Sequence, residues 1–246
     1  MDEKYGFVFR HPCNMIIAGP TGCGKTQFVT SILRYQMLDP FPDRIMVAYA
    51  EMQKAYVEWR RLFPKIEFVK DLSTRIDEVY ESFKPTSTNL LIIDDLMHEA
   101  GANKGVMDLF TKGSHHRNLT ILFLVQNIFC QGKAMRTISL NTQYFVLFKN
   151  ARDCMQSVTL GKQMFPECAN FIREVLNDVT DRNQHGYIVV DMMHGTNRFV
   201  KVRTGIFPDE DKIIYQPTTH VESVKRDDDS DDDSDTEVPI VRFVQL

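Results

Sequence analysis

The sequence predicts an α/β fold, a central and mostly parallel sheet flanked by helices, and three observations carry that reading. Short β-rich apolar runs alternate along the chain with stretches of helical spacing. One junction, Gly19 to Thr26, reads GPTGCGKT and matches G-x-x-x-x-G-K-[ST] in full, between an apolar strand and an amphipathic helix. A second run, Leu90 to Asp95, reads LLIIDD. Its apolar residues suit a strand covered on both faces, and its two carboxylates fall where ligands collect in open α/β sheets.

The elements follow in order. Met15 to Ala18 is the first strand, stopped by Gly19-Pro20. Gln27 to Leu38 places Phe28, Ile32, Tyr35 and Leu38 at helical spacing, and Asp39-Pro40-Phe41-Pro42-Asp43 breaks the chain. Ile45 to Tyr49 is a strand, Met52 to Leu62 a helix, and Ile66 to Val69 a short strand near an edge. Asp71 to Phe83 predicts a helix capped near Ser73 or Thr74 and ended by Lys84-Pro85. Asn89 to Ile93 is a buried strand, Lys104 to Lys112 a short helix, and Thr120 to Val125 another buried strand ending in Gln126-Asn127. Ala134 to Leu140 is helical, Tyr144 to Phe148 a fifth core strand, and Asp153 to Met164 and Ala169 to Val179 two further helices. Tyr187 to Met192 and Phe199 to Arg203 predict a C-terminal antiparallel strand pair joined around His194 to Asn197. Beyond about residue 215 the pattern dissolves into an acidic tract. That tract lacks the apolar surface to offset its chain entropy and is expected to be disordered.

Composition narrows the setting. The 246 residues suit one α/β domain with a tail, and 43% hydrophobic residues suffice for a core. Net charge is −4, but from residue 227 to the end one arginine faces eight acids, which leaves +3 on the remainder. A mildly basic body with an acidic arm fits a protein that meets an anionic polymer, although +3 is ordinary. The five cysteines, Cys13, Cys23, Cys130, Cys154 and Cys168, are odd in number with no CxxC pair, and read as reduced thiols of an intracellular protein. No signal peptide is expected, because no N-terminal apolar run follows a basic stretch, and no membrane span, because no window approaches 18 uninterrupted apolar residues.

The chemistry concentrates at the carboxyl ends of the strands. In the loop, glycines let successive backbone N–H groups face phosphate oxygens, and the following helix adds about half a positive charge at the same place. The nucleotide-contacting set is Gly19, Pro20, Thr21, Gly22, Cys23, Gly24, Lys25 and Thr26, with Gln27 next in the helix. Lys25 reaches the β- and γ-phosphates, and the Thr26 hydroxyl ligates Mg²⁺. Asp94 holds the same Mg²⁺, and Asp95 polarises the attacking water, with a helix cap as its plainer role and Glu99 as the alternative base. Gln126, ahead of Asn127, senses the γ-phosphate, with simple turn chemistry as the competing explanation. In SHHRN, Ser114 to Asn118, the histidines have no partners at zinc-ligand spacing. Arg117 there is a candidate arginine finger acting on a neighbouring subunit, with a surface role nearly as well supported and Arg136 and Arg152 as rivals. Trp59 is expected in a helix interface, and the stretches MVAYAEM and MQKAYVEW read as core.

The combination HPCNMIIAGPTGCGKTQFV, LLIIDD and GSHHRNLTILFLVQNIF resembles the genome-packaging ATPases of double-jelly-roll DNA viruses and of Polinton elements. These are poxvirus-type packaging ATPases of the FtsK–HerA superfamily of P-loop motors. The resemblance spans about residues 10 to 150, and its specific part is the HHRN-to-VQN segment. It implies a RecA-like (ASCE-type) P-loop NTPase with extra strands between the phosphate and acidic sites. It also implies ATP and Mg²⁺ as ligands, a homo-oligomeric ring around double-stranded DNA, and capsid proteins as partners. Lys25, Asp95, Gln126 and Arg117 would be the catalytic residues, with Asp95 replacing the usual glutamate. Residues 1–215 would form the ATPase domain and 216–246 the acidic tail, in a host-intracellular setting, the nucleus or a viral assembly site, compatible with association with the virion. Two other functions remain open on the residues alone. One is a nucleotide-dependent DNA-binding regulator with weak hydrolysis, kept alive by the shorter carboxylate at Asp95. The other is a small-molecule P-loop kinase, for which no arginine-rich lid is evident.

Overall fold

A computed structural model describes residues 7–94, 104–113, 116–128, 133–152, 155–217 and 241–245. The strands are β1 (Phe9–Arg10), β2 (Asn14–Ala18), β3 (Leu38–Asp39), β4 (Arg44–Tyr49), β5 (Glu67–Lys70) and β6 (Asn89–Asp94). They continue with β7 (Leu119–Val125), β8 (Tyr144–Phe148), β9 (Tyr187–Asp191), β10 (Val202–Thr204), β11 (Ile213–Pro217) and β12 (Val241–Gln245). The helices are α1 (Lys25–Arg34), α2 (Lys54–Leu62), α3 (Leu72–Ser82), α4 (Lys104–Asp108), α5 (Lys133–Leu140), α6 (Met155–Met164) and α7 (Phe171–Arg182).

Ten strands form one sheet in the order β12-β11-β10-β9-β8-β2-β7-β6-β4-β5. From β8 to β5 every pairing is parallel, and from β8 to β12 every pairing is antiparallel. Alternation along the strands divides the core into two faces. Met15 and Ile17 of β2, with Leu90, Ile92, Leu122 and Leu124, pack against Phe28, Val29, Ile32 and Leu33 of α1 and Trp59 of α2. Ile16 and Ala18, with Leu91, Ile93, Ile121 and Phe123, pack under α3, α4, α5, α6 and α7 through residues such as Ile76, Val106, Ile138, Leu160 and Phe171. Strands buried on both faces have no polar side to show, which is why the central ones read as unbroken apolar runs.

The mostly parallel sheet, the edge position of β5 and the antiparallel C-terminal strands agree with the sequence reading. Several details differ. The expected strand at 199–203 begins instead as a 3-10 turn, Arg198–Val200, because the Asn197 side chain accepts a hydrogen bond from Phe199 N at 3.0 Å, so β10 starts at Val202. The α3 helix starts behind Asp71, which adopts a left-handed conformation (φ 54°), and the Thr74 hydroxyl donates to the Asp71 carbonyl at 2.9 Å. The expected helix at 104–112 turns π-helical over Leu109–Gly113. Two short strands, β1 and β3, pair in parallel outside the main sheet and were not foreseen. β12 pairs in full with β11, Val241 opposite Pro217 and Gln245 opposite Ile213, so the segment beyond 215 contributes the end of β11 and the whole of β12 at the sheet edge. Most of the expected disordered tail, residues 218–240, lies outside the described residues.

Trp59 joins α2 to α1. It is fully buried, and its indole N–H donates to Thr30 Oγ1 at 2.8 Å, beside an Arg34–Glu58 ion pair of 2.5 Å. Trp59→Ala should cost about 3–5 kcal/mol of stability, the usual effect of truncating a large buried side chain. In urea denaturation the midpoint should fall with the slope unchanged.

Candidate functional site

Parallel pairing decides which groups meet. Ala18 lies opposite Val125, Leu124 opposite Asp94, and Asp94 opposite Tyr49. The residues that follow β2, β7, β6 and β4 therefore leave the sheet along one edge. The ligand crevice of an open α/β sheet lies at this edge.

The loop after β2 is built for close approach of its backbone. Gly19 N donates to Val125 O at 3.1 Å, and a Cβ on Gly19 would lie 2.7 Å from both Cys23 Sγ and Phe148 Cβ. Gly24 caps α1 at φ 117°, a region that side-chain-bearing residues rarely enter. Lys25 curls back over the loop, donating to the carbonyls of Gly19 at 2.6 Å and Pro20 at 3.0 Å. Its ammonium group is thereby held beside the backbone amides and the N-terminus of α1. Burial raises the Cys23 pKa, with Lys25 opposing that shift, so the thiol stays uncharged inside the loop.

Across a cleft of about 400 Å³, the loop faces Gln53, Asp94 and Gln126. Asp94 is 4% exposed, and its Oδ2 accepts from Tyr56 OH at 2.7 Å and from Gln53 Nε2 at 2.9 Å. The other end of the same carboxamide, Gln53 Oε1, accepts from Thr26 Oγ1 at 3.2 Å. One glutamine thus spans the two oxygen donors that the sequence assigns to magnesium. With its proton given to Gln53, the Thr26 hydroxyl keeps lone pairs for a hard cation, and a hydroxyl paired with a carboxylate matches magnesium's preference for oxygen. Gln126 stands between this cleft and a small pocket of about 40 Å³ behind Gly19, which Gln156 and Arg173 also line.

Of the residues named from sequence, Thr21, Gly22, Gly24, Lys25, Thr26, Gln27, Asp94 and Gln126 line this cleft, while Gly19 and Pro20 meet it only through their carbonyls on the Lys25 ammonium. Asp95, Glu99, Ser114 and His115 lie outside the described residues. Arg117 does not join them. It precedes β7, so it emerges at the amino edge of the sheet, where it ion-pairs with Glu81 at 2.5 Å, covers the Tyr80 ring at 4.7 Å and donates to Phe83 O. Arg152, just past the carboxyl end of β8, is exposed on the loop-bearing side, and Arg136 is exposed on α5. Gln53 and Tyr56 were missed: they lie in a stretch read as core, and Tyr56 is indeed buried, with only its hydroxyl turned to Asp94.

No protein-family model matches the chain, and no curated protein matches it. Solved structures do. The genome packaging NTPase B204 from Sulfolobus turreted icosahedral virus 2, in complex with AMPPCP, superposes with a TM-score of 0.54 at 10% identity, over 73% of this chain and 92% of that one. Its sulfate complex gives a TM-score of 0.51 at 10% identity, over 73% and 91%. B204, the DNA-packaging ATPase from Sulfolobus Turreted Icosahedral Virus, gives 0.50 at 11% identity, over 73% and 92%. At such identities the likeness is one of fold, and the fold is that of the RecA-like P-loop ATPases, shared with the viral packaging NTPase B204.

Proposed function

We propose that this protein is an ATP-hydrolysing motor that moves double-stranded DNA into a viral capsid, working as a homo-oligomeric ring. The observation that carries the proposal is the joining of the phosphate loop to Asp94 through Gln53, with Gln126 on the same cleft. The HHRN-to-VQN sequence pattern and the B204 fold support the packaging assignment over other uses of this loop.

In this reading the backbone amides of Gly22 to Thr26 and the Lys25 ammonium bind the phosphates, at a helix N-terminus that favours negative charge. Magnesium, when bound, neutralises charge that develops on the phosphate oxygens. Thr26 and Asp94 would hold it. Gln53 accepts a hydrogen bond from the Thr26 hydroxyl and fixes one Asp94 oxygen, and Tyr56 holds that oxygen from the buried side. Gln126 orients the attacking water, and Asp95 remains the proposed base. For an arginine acting on a neighbouring subunit's site, Arg152 is favoured over Arg117. Arg152 is exposed on the loop-bearing edge, whereas the Arg117 guanidinium is engaged by Glu81 and Tyr80 at the other.

Two measurements test these roles. Duplex DNA should raise ATP turnover, and Lys25→Ala should abolish turnover while weakening ATP binding by about 1.5–3 kcal/mol, the worth of a charged hydrogen bond. Turnover indifferent to duplex DNA at every salt concentration would remove the motor. Gln53→Ala should raise the free Mg²⁺ needed for half-maximal turnover by about 10–100-fold, as loss of a residue that orients metal ligands does. ATP binding measured in EDTA should be unchanged by the same substitution.

A further inference from the structure

Positive charge collects at one corner of the molecule. β5 is the outermost strand on its side, and α2 crosses from the carboxyl end of β4 to the amino end of β5. The close of α2 and residues 63–66 therefore lie at the amino edge of the sheet, and residues 83–88, which lead into β6, come to the same edge. The acids of this corner already have partners. Glu58 holds Arg34, Glu67 holds Arg44, Glu81 holds Arg117, and Asp43 accepts from Thr88. Arg60, Arg61, Lys65 and Lys84 are exposed, and among the described residues no carboxylate pairs with any of them. The Arg60 guanidinium lies over the Phe68 ring at 4.9 Å, a contact that steadies it and leaves its charge intact.

The matching negative charge belongs to a part of the chain that the motor reading leaves without a task. Residues 227–237, DDDSDDDSDTE, carry eight carboxylates and no base. The antiparallel pairings from β8 to β11 bring Pro217, the last residue of β11, to the amino edge, opposite Val241. The acidic run is thus tethered at the same edge as the four cations but at the far end of the sheet. β11 and β5 stand eight strand spacings apart, about 38 Å at roughly 4.8 Å per spacing. Glu237 is four residues from Val241, a span of at most about 14 Å. The run as a whole cannot cover the basic corner of its own sheet.

It can cover that of a second copy. A rotation about an axis parallel to the strands keeps every amino edge on one side and brings the β11 end of one copy beside the α2–β5 end of the next. The two surfaces differ, so the contact repeats from copy to copy and closes where the rotation closes. We propose that the α2–β5 corner, through Arg60, Arg61, Lys65 and Lys84, docks the acidic run 227–237 of a neighbouring copy. The proposal deepens the ring reading above by naming the surfaces that meet. Exposed ion pairs are individually weak and screened by salt, so this contact selects which faces meet and loosens as salt rises. Duplex DNA is the rival polyanion for the same corner.

The test uses the full chain with Mg·ATP at low salt, as an equal mixture of unlabelled and ¹⁵N-labelled copies. A water-soluble carbodiimide, which condenses carboxylates with lysine amines, should join the 227–237 run to Lys65 or Lys84 in peptides of mixed label. In sedimentation velocity, Arg61→Glu with Lys65→Glu should weaken self-association at least about tenfold, the sum of several small exposed pairs lost and reversed. Replacing the six aspartates of 227–233 by asparagine should do the same, and association of either variant should lose most of its salt dependence. The docking is overturned if no such peptide forms, if the joined peptides carry only like labels, or if the asparagine variant associates as wild type does. It is also overturned, in favour of a nucleic-acid surface, if Arg61→Glu with Lys65→Glu weakens duplex DNA binding and leaves self-association unchanged. Assembly indifferent to all these charges removes the docking and leaves the ring standing, whereas a wild type that stays monomeric removes both.

Discussion

Hydrogen bonding of β2 between β7 and β8, all three running in one direction, is the constraint on which the rest of the molecule depends. A strand paired in parallel on both sides can return to the sheet only by a crossover, and helices then cover both faces. With β2, β4, β6, β7 and β8 all running one way, their carboxyl ends lie along the same edge. The Gly19 N to Val125 O bond continues the β2–β7 ladder one step into the loop, so the phosphate-binding segment is anchored to the sheet itself. Phe148, at the end of β8, packs beneath that segment from the other side, where Gly19 leaves no room for a side chain.

Charge is arranged about that edge with little freedom. Lys25 rests on the carbonyls of Gly19 and Pro20, which holds its ammonium over the loop. Asp94, almost without solvent, gains from Tyr56 and Gln53 the hydrogen bonds that a buried carboxylate requires. Both partners belong to the start of α2, and α2 is fixed to α1 by Trp59 and by the Arg34–Glu58 pair. The helix that follows the loop and the helix that hydrogen-bonds Asp94 are thus joined directly to each other.

The sequence made the sheet and the loop legible because both are local signals. LLII and ILFLV are apolar at every position, and only a strand covered on both faces wants that. The glycine spacing of GPTGCGKT is equally self-contained. Gln53 is the opposite case. Nothing adjacent to it marks a role, and it reaches Asp94, 41 residues away, only because β4 and β6 pair in parallel. Arg117 is the complementary case: it is close to Gln126 in sequence, but the whole of β7 separates them in space. β12 was hidden because eight neighbouring carboxylates dominate the composition of its region, although VRFVQ carries the β-branched and aromatic residues that strands favour.

That last strand changes what borders the sheet. With Val241 opposite Pro217 and Gln245 opposite Ile213, β12 runs back along the full length of β11. β12 and not β11 is therefore the outermost strand on that side, and its outer row of backbone N–H and C=O groups is the one an incoming extended chain would meet.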